Sequence, residues 1–387
     1  MNARAFPGVL LFGYRNVGTT TPVIGIVGSA GAYGRWLRGF FETRMGLPVI
    51  GHDPTDPASD GEDALLARAD VLLFCAPIRQ TPALIDRYAQ RSAGREAGRL
   101  WLDITSVKAE PVAAMLRSRA EVAGLHPMSA PPKSPTLKGR VLAVCEARLA
   151  AWKPWLDTLL EALEAECVRV APERHDRAMA LVQAMVHASH LAQAGVLREQ
   201  AGLAGTLADL MPLRSASFEM DAAMAARILS MNPAIYEDIQ FGNPHAQEVL
   251  RGLAAQLARL AALVGQGDAA ARAAFRAEFL DANREAFGAS ALAEGNYTFE
   301  RLGYLLADLS DAHTLGIHLP EDRPGSLRAL LHVFERHGVS IASLHSSRTQ
   351  AGELHFRLGF DRGTRPDALA AAVEELGRTG IGRVMAE

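Results

Sequence analysis

Several things are scarce in this 387-residue sequence, and each scarcity excludes something. There are three cysteines, Cys75, Cys145 and Cys167, irregularly spaced and without a CxxC pair, so neither a disulfide framework nor a zinc knuckle is expected and a reducing cytoplasm is the default compartment. No apolar run approaches the roughly 18 residues of a membrane span, and Pro7 to Gly13 is too short to serve as one. Charge of one sign is also missing. Forty basic residues stand against 43 acidic, a net of −3, which offers no field for nucleic acid and no cationic face for an anionic membrane. What is abundant is ordinary: 49% hydrophobic and 21% charged residues, the profile of a folded chain with room for two or three domains of roughly 150 residues.

Residues 1–20 read as a loosely ordered leader. From Thr21 the pattern becomes strand, glycine-rich turn and helix: Val23 to Val27, then Gly28-Ser29-Ala30-Gly31-Ala32-Tyr33-Gly34, then Arg35 to Arg44. A second strand, Pro48 to His52, ends at Asp53, and buried apolar runs follow at Ala69 to Ala76, Leu100 to Asp103 and Arg140 to Cys145. This alternation predicts a Rossmann-type, doubly wound parallel sheet over residues 21–170. Residues 171–312 have helical spacing with few β-branched runs, and their surplus of apolar faces predicts an all-helical domain that buries part of itself against a second copy of the chain. Residues 313–387 repeat a strand-helix-strand-strand-helix-strand order, which predicts a ferredoxin-like α+β module.

The glycine turn sits between a buried strand and a helix, where free amides and the helix dipole converge on one point. It is either a phosphate cradle or a plain turn. Counting back from Gly34, the usual G-x-G-x-x-G frame has Gly31 in the middle and Ser29 where its first glycine falls, with Gly28 one residue early. Asp53, about 20 residues further on, suits a ribose hydroxyl and repels a 2′-phosphate, or else serves as a turn acid; no arginine follows within Pro54-Thr55-Asp56. A dinucleotide, NAD rather than NADP, is the expected cofactor. Its expected contacts are Gly28, Ser29, Gly31, Ala32, Tyr33, Gly34, Asp53 and Pro77 after the third strand.

Three features bear on chemistry. Asp103-Ile104-Thr105-Ser106-Val107-Lys108 follows a strand, so its polar groups should emerge where this architecture places ligands. His126, fixed before Pro127 on what reads as a loop, is either a surface residue or an acid or base beside a nicotinamide. Arg227, in the run Phe218 to Leu229, is either solvated or paired with an acid, or it points inward to hold a carboxylate in its planar fork. His175, His187 and His190 lie on or beside one helix, but no carboxylate or cysteine pattern completes a metal site, and no metal is expected.

The succession of the glycine turn, Ser106-Val107-Lys108, His126-Pro127-Met128, His175-Asp176, Gln183-Ala184-Met185-Val186-His187, and Arg227 followed by Asn232-Pro233 and Tyr236 resembles the prephenate dehydrogenases of tyrosine biosynthesis, over about residues 22–290. The resemblance implies oxidation of the 4-hydroxyl carbon of prephenate by NAD⁺ with loss of the ring carboxylate, giving 4-hydroxyphenylpyruvate. It implies that His126 accepts the hydroxyl proton and that Ser106 orients His126 or the hydroxyl. Arg227, His187, Tyr236 and Lys108 are then the substrate contacts. The leader is too short for the chorismate mutase domain of some members, so no mutase activity is expected. After Met128 this chain reads Ser129-Ala130-Pro131-Pro132-Lys133, where members more often carry a bulky residue and a glycine.

Leu319 to Leu327 followed by a helix, then His345-Ser346-Ser347-Arg348-Thr349, resembles an ACT domain of the kind that binds an aromatic amino acid. That resemblance implies an effector, tyrosine before phenylalanine, near Pro324, Gly325, Ser326 and Leu327. The alternatives are an arogenate or broad cyclohexadienyl dehydrogenase, a β-hydroxyacid dehydrogenase, in which a lysine would be expected on the helical domain, and a catalytically inactive sensor of nucleotide and aromatic amino acid.

Overall fold

The computed structural model describes residues 21–310, 313–320, 323–348 and 354–385; the leader expected at 1–20 lies outside the described residues. The chain divides into two compact units between Arg259 and Leu260.

The first unit opens with a seven-stranded sheet in the order β2-β1-β3-β4-β5-β6-β7. Its strands are β1 (Ile24–Val27), β2 (Val49–His52), β3 (Val71–Phe74), β4 (Leu100–Asp103), β5 (Glu121–Pro127), β6 (Val141–Arg148) and β7 (Glu166–Arg169). Strands β1, β3 and β4 are buried along their whole length, which is why they read as unbroken apolar runs. Crossover helices α1 (Ala32–Gly39), α2 (Glu62–Arg68), α3 (Thr81–Ser92), α4 (Ala109–Leu116) and α5 (Lys153–Leu163) cover the faces. One core joins Phe40, Phe41, Leu73, Leu102, Trp155 and Leu159; the other centres on Trp101, Phe74 and Tyr88, whose rings meet edge to face.

Two departures from the expected sheet matter to the site. His126 lies in the strand β5, not on a loop, and β6 runs antiparallel to β5, with His126 opposite Ala143. No helix intervenes between β5 and β6, so the chain returns directly and reverses direction.

The helical part of this unit comprises α6 (Pro172–Met179), α7 (Val186–Ala204), the short α8 (Leu207–Leu210), α9 (Ala216–Ser230), α10 (Pro233–Gly242) and α11 (Ala246–Gln266), which runs on past the division. A π-helical stretch, Ala180–Met185, joins α6 to α7 in one continuous rod. Large apolar side chains lie open on these helices, including Val182 at 62%, Leu203 at 87%, Leu229 at 65% and Phe241 at 91% exposure. Exposure of that kind, repeated along several helices, marks a surface built for contact. No helix among the described residues is long and apolar enough to cross a membrane.

The second unit carries α12 (Ala269–Phe275) and α13 (Ala282–Ser310), then the expected alternation: β8 (Thr314–Leu319), α14 (Ser326–Arg336), β9 (Ile341–Arg348), β10 (Leu354–Phe360), α15 (Pro366–Thr379) and β11 (Arg383–Met385). Its four strands are all antiparallel in the order β11-β8-β10-β9. Helices α14 and α15 close one face over Ile317, Leu330, Phe334, Phe356, Leu358 and Leu376. Phe334 is fully buried there, so Phe334→Ala is expected to lower the stability of this unit by about 3–5 kcal/mol, read as a lower urea midpoint for its unfolding.

Candidate active site

The carboxyl edge of the sheet is where the turns after β1, β3 and β4 and the end of β5 emerge. Gly28 leaves β1 at φ +84°, and a Cβ there would sit 2.7 Å from the Cys75 carbonyl oxygen after β3. A Cβ on Gly34 would sit 2.2 Å from the Gly28 carbonyl oxygen. So Gly28, the glycine that falls one residue early in the usual frame, makes the turn, and Gly34 lets α1 close onto it. Helix α1 has no side-chain cap and no acid in its first turn, and the amides of Ala32, Tyr33 and Gly34 find no acceptor among the described residues. Such an end suits a phosphate group.

Asp53 ends β2 beside this turn. Its Oδ2 accepts the Ala30 N–H at 3.1 Å and its Oδ1 accepts the Thr55 N–H and hydroxyl at 2.9 and 2.6 Å. Burial raises its pKa, and these hydrogen bonds from Thr55 and Ala30 outweigh that, holding the carboxylate below its ordinary range. Asp53 therefore shapes the glycine turn. The Ser29 N–H donates to the His52 carbonyl, and Pro77 starts the short turn Ile78–Gln80 after β3. Tyr33 turns its ring away from the turn: its hydroxyl donates to the Ser129 carbonyl, and the Trp36 indole N–H donates to the Ser134 carbonyl at 3.0 Å. Helix α1 thereby holds the loop that follows His126.

The sheet supplies the centre of the site. His126 is 2% exposed and its Nδ1 lies 2.9 Å from Nε2 of His175 on α6. His175 Nδ1 lies 2.8 Å from Asp176 Oδ1, and the Asp176 carboxylate accepts the Lys108 and Ala109 N–H groups at 2.8 and 2.9 Å. Asp176 thus caps α4 and joins the β4–α4 turn to the helical rod. His126 Nε2 has no hydrogen-bond partner among the described residues. Burial, then His175, then Lys108 push the His126 pKa well below its ordinary 6.5, so the ring is neutral near pH 7.

Lys108 corrects an expectation. Its ammonium is fully buried, paired with Asp103 and donating to the Leu125 carbonyl at 2.8 Å. A cation so enclosed braces β5 immediately before His126 and does not present its charge to a substrate. Ser106 is half-buried and has no hydrogen-bond partner among the described residues, whereas His126 Nδ1 has His175.

On the helical side His187, at the start of α7, meets Tyr236 of α10 edge to face, with ring centroids 4.9 Å apart. The His187 Nδ1 is buried without a partner. Burial and the nearby His190 lower the His187 pKa. Helix α10 is tied to the rod through Gln240 to the Ala184 carbonyl and Asn243 to the Asp176 carbonyl, at 2.8 and 2.7 Å. Asp238 of the same helix accepts the Arg79 N–H in the turn after β3. One helix therefore spans from the nucleotide edge to the His187 side. Arg227, near the end of α9, is exposed, and its guanidinium has no partner among the described residues. His175, His187 and His190 take separate partners, the last the Val186 carbonyl and Asp221.

In the second unit Gly325 turns at φ +97° into an uncapped α14. Pro324, Gly325 and Ser326 line an open cavity with Arg323, Thr379 and Ile381, while Leu327, just inside the helix, is 37% exposed.

Together these features define a Rossmann-type nucleotide fold carrying a helical dimerisation region and a separate regulatory-type module. Residues 171–276 match the prephenate dehydrogenase dimerization domain and residues 313–378 the ACT domain. The chain is 32% identical over 271 residues to a 4-amino-4-deoxyprephenate dehydrogenase of Streptomyces pristinaespiralis, covering 65% of this chain and 88% of that one. It is 31% identical over 270 residues to a T-protein of Enterobacter agglomerans, covering 67% and 65%. It spans 54% of the length of a probable arogenate/prephenate dehydrogenase of Methanocaldococcus jannaschii, at 27% identity over 248 residues and 59% of this chain. The fold is that of the A. aeolicus prephenate dehydrogenase solved with hydroxyphenyl propionate and NAD⁺, with a TM-score of 0.52 at 16% identity, covering 64% of this chain and 92% of that one. The chain belongs to the prephenate dehydrogenase family and carries a C-terminal ACT domain.

Because the Gly34 Cβ would strike backbone, Gly34→Ala is expected to displace α1 from the turn and weaken binding of a nicotinamide dinucleotide at least tenfold in a fluorescence titration.

Proposed function

We propose that this protein is a cytoplasmic, homodimeric prephenate dehydrogenase that uses NAD⁺ and is inhibited by tyrosine bound at its ACT domain. The observation that carries the reading is His126: a buried, neutral imidazole at the carboxyl edge of a nucleotide-type sheet, with one nitrogen fixed and the other free. The three free amides at the start of α1 would hold the pyrophosphate, with Asp53 near the ribose and no arginine in Pro54-Thr55-Asp56 to welcome a 2′-phosphate. When bound, the nicotinamide ring supplies a hydride acceptor.

Charge balance states what the side chains must do. Prephenate dianion and NAD⁺ become 4-hydroxyphenylpyruvate monoanion, CO₂ and NADH, with no net proton released. His126 Nε2 takes the hydroxyl proton as carbonyl character builds at C4, then returns it to the phenolate oxygen once the bond to the ring carboxylate has broken and its electron pair has entered the ring. Aromatisation drives the reaction, so positioning is most of the task. The Ser106 hydroxyl faces the same 4-oxygen, the Arg227 guanidinium holds a substrate carboxylate, and His187 and Tyr236 form the apolar wall between them.

The homodimer rests on the apolar side chains left open on the helices within the matched dimerization region. The effector reading rests on the ACT match and on the cavity at the start of α14, with Pro324, Gly325, Ser326 and Leu327 as its contacts.

NADH formation with prephenate, arogenate and 4-amino-4-deoxyprephenate in parallel tests the substrate, and prephenate is expected to give the highest kcat/KM. A chain inactive on all three would sink the proposal in favour of a sensor. His126→Asn is expected to lower kcat by about 10²–10⁴-fold with substrate binding largely kept, whereas Arg227→Ala should raise the prephenate KM about 10–100-fold. The active form of His126 is neutral, and its pKa is depressed, so kcat/KM should hold as pH falls through 6.5 and decline only below it; an acid limb above 6.5 would contradict this. Removing residues 313–387 should abolish tyrosine inhibition of NADH formation.

A further inference from the structure

The line His126, His175, Asp176 has a direction. A carboxylate can only accept, and Asp176 already accepts two backbone N–H groups at the start of α4. The hydrogen on His175 Nδ1 therefore points at Asp176 Oδ1. A neutral His175 with its proton on Nδ1 has a lone pair on Nε2, and that lone pair faces His126 Nδ1 at 2.9 Å. The two rings stand at 72° to each other and both residues are no more than 2% exposed, so no water competes for the bond. The other ionisable groups packed around His126 are committed elsewhere: Lys108 to Asp103 on the β4–α4 side, and Cys145 on β6 as a thiol whose pKa burial pushes up to about 12.

We propose that His175 and Asp176 are positioning residues that fix the proton of resting His126 on Nδ1, leaving the Nε2 lone pair toward the substrate, and that they stabilise the imidazolium formed when Nε2 takes the hydroxyl proton. The O–H bond breaks, the N–H bond forms at Nε2, and both hydrogen bonds along the line shorten onto Asp176 without any further proton changing owner. The proposal rests on the reading of His126 as the base. It also explains why a second histidine is buried beside the first: a free imidazole favours the proton on Nε2, the wrong nitrogen for this task, and only an acceptor on the Nδ1 side reverses that.

The test combines ¹⁵N-imidazole NMR of the full chain with steady-state kinetics. In the wild type the His126 proton is expected on Nδ1. His175→Phe keeps the ring volume and removes the acceptor, so the His126 proton should move to Nε2 and kcat fall about 10²-fold with the KM for prephenate and for NAD⁺ within about threefold. His175→Gln can still accept from Nδ1 and should recover the tautomer and most of the lost kcat. A wild-type proton on Nε2, or a His175→Phe enzyme within twofold of wild-type kcat, overturns the proposal. If no dienyl acid is turned over by the wild type, the functional reading fails, while the tautomer measurement still decides the relay.

Discussion

The carboxylate of Asp176 is the joint of this molecule. Its two oxygens take the first amides of α4 and one hydrogen of His175, so a single side chain fixes a helix start on the sheet side, a histidine on the rod, and through that histidine the ring of His126. Everything proposed for the chemistry assumes that sheet and helices hold their relative position to a fraction of an ångström, and this buried contact, reinforced by Asn243 on the backbone of the same residue, is what holds them.

The sheet side has its own brace. Lys108 is fully buried, and the attraction that compensates its desolvation comes from Asp103, five residues earlier on the same strand-to-helix turn. Removing either partner would leave a buried charge, and the pair places an N–H donor on the Leu125 carbonyl, one residue before His126.

Much of the architecture was legible because fully buried strands such as β1, β3 and β4 leave apolar runs that no other element leaves at that length, and because the alternation in residues 313–385 is nearly ideal. Strand β5 was not, since Gly124, His126 and Pro127 break its pattern; the residues that spoil the strand signal are there for the site. The reversal of β6 was invisible because pattern carries no chain direction. At the site, residue types were readable and partnerships were not. His175 and Asp176 stood side by side in the sequence, but nothing in their spacing told that a ring 49 residues earlier would meet them. Lys108 read as a ligand contact through the family resemblance, and only the nearby Asp103 could have warned otherwise.

The rod that carries His175 and His187 is not uniform: between them lies the π-helical stretch Ala180–Met185. Such a stretch holds one residue more than an α-helix of the same span, and each residue turns a helix by about 100°. His175 is locked to the sheet, so the extra residue acts as a dial that sets the azimuth of His187 and everything beyond it. A lineage that lost or gained one residue there would rotate His187 and the helix beyond it past an unmoved His126.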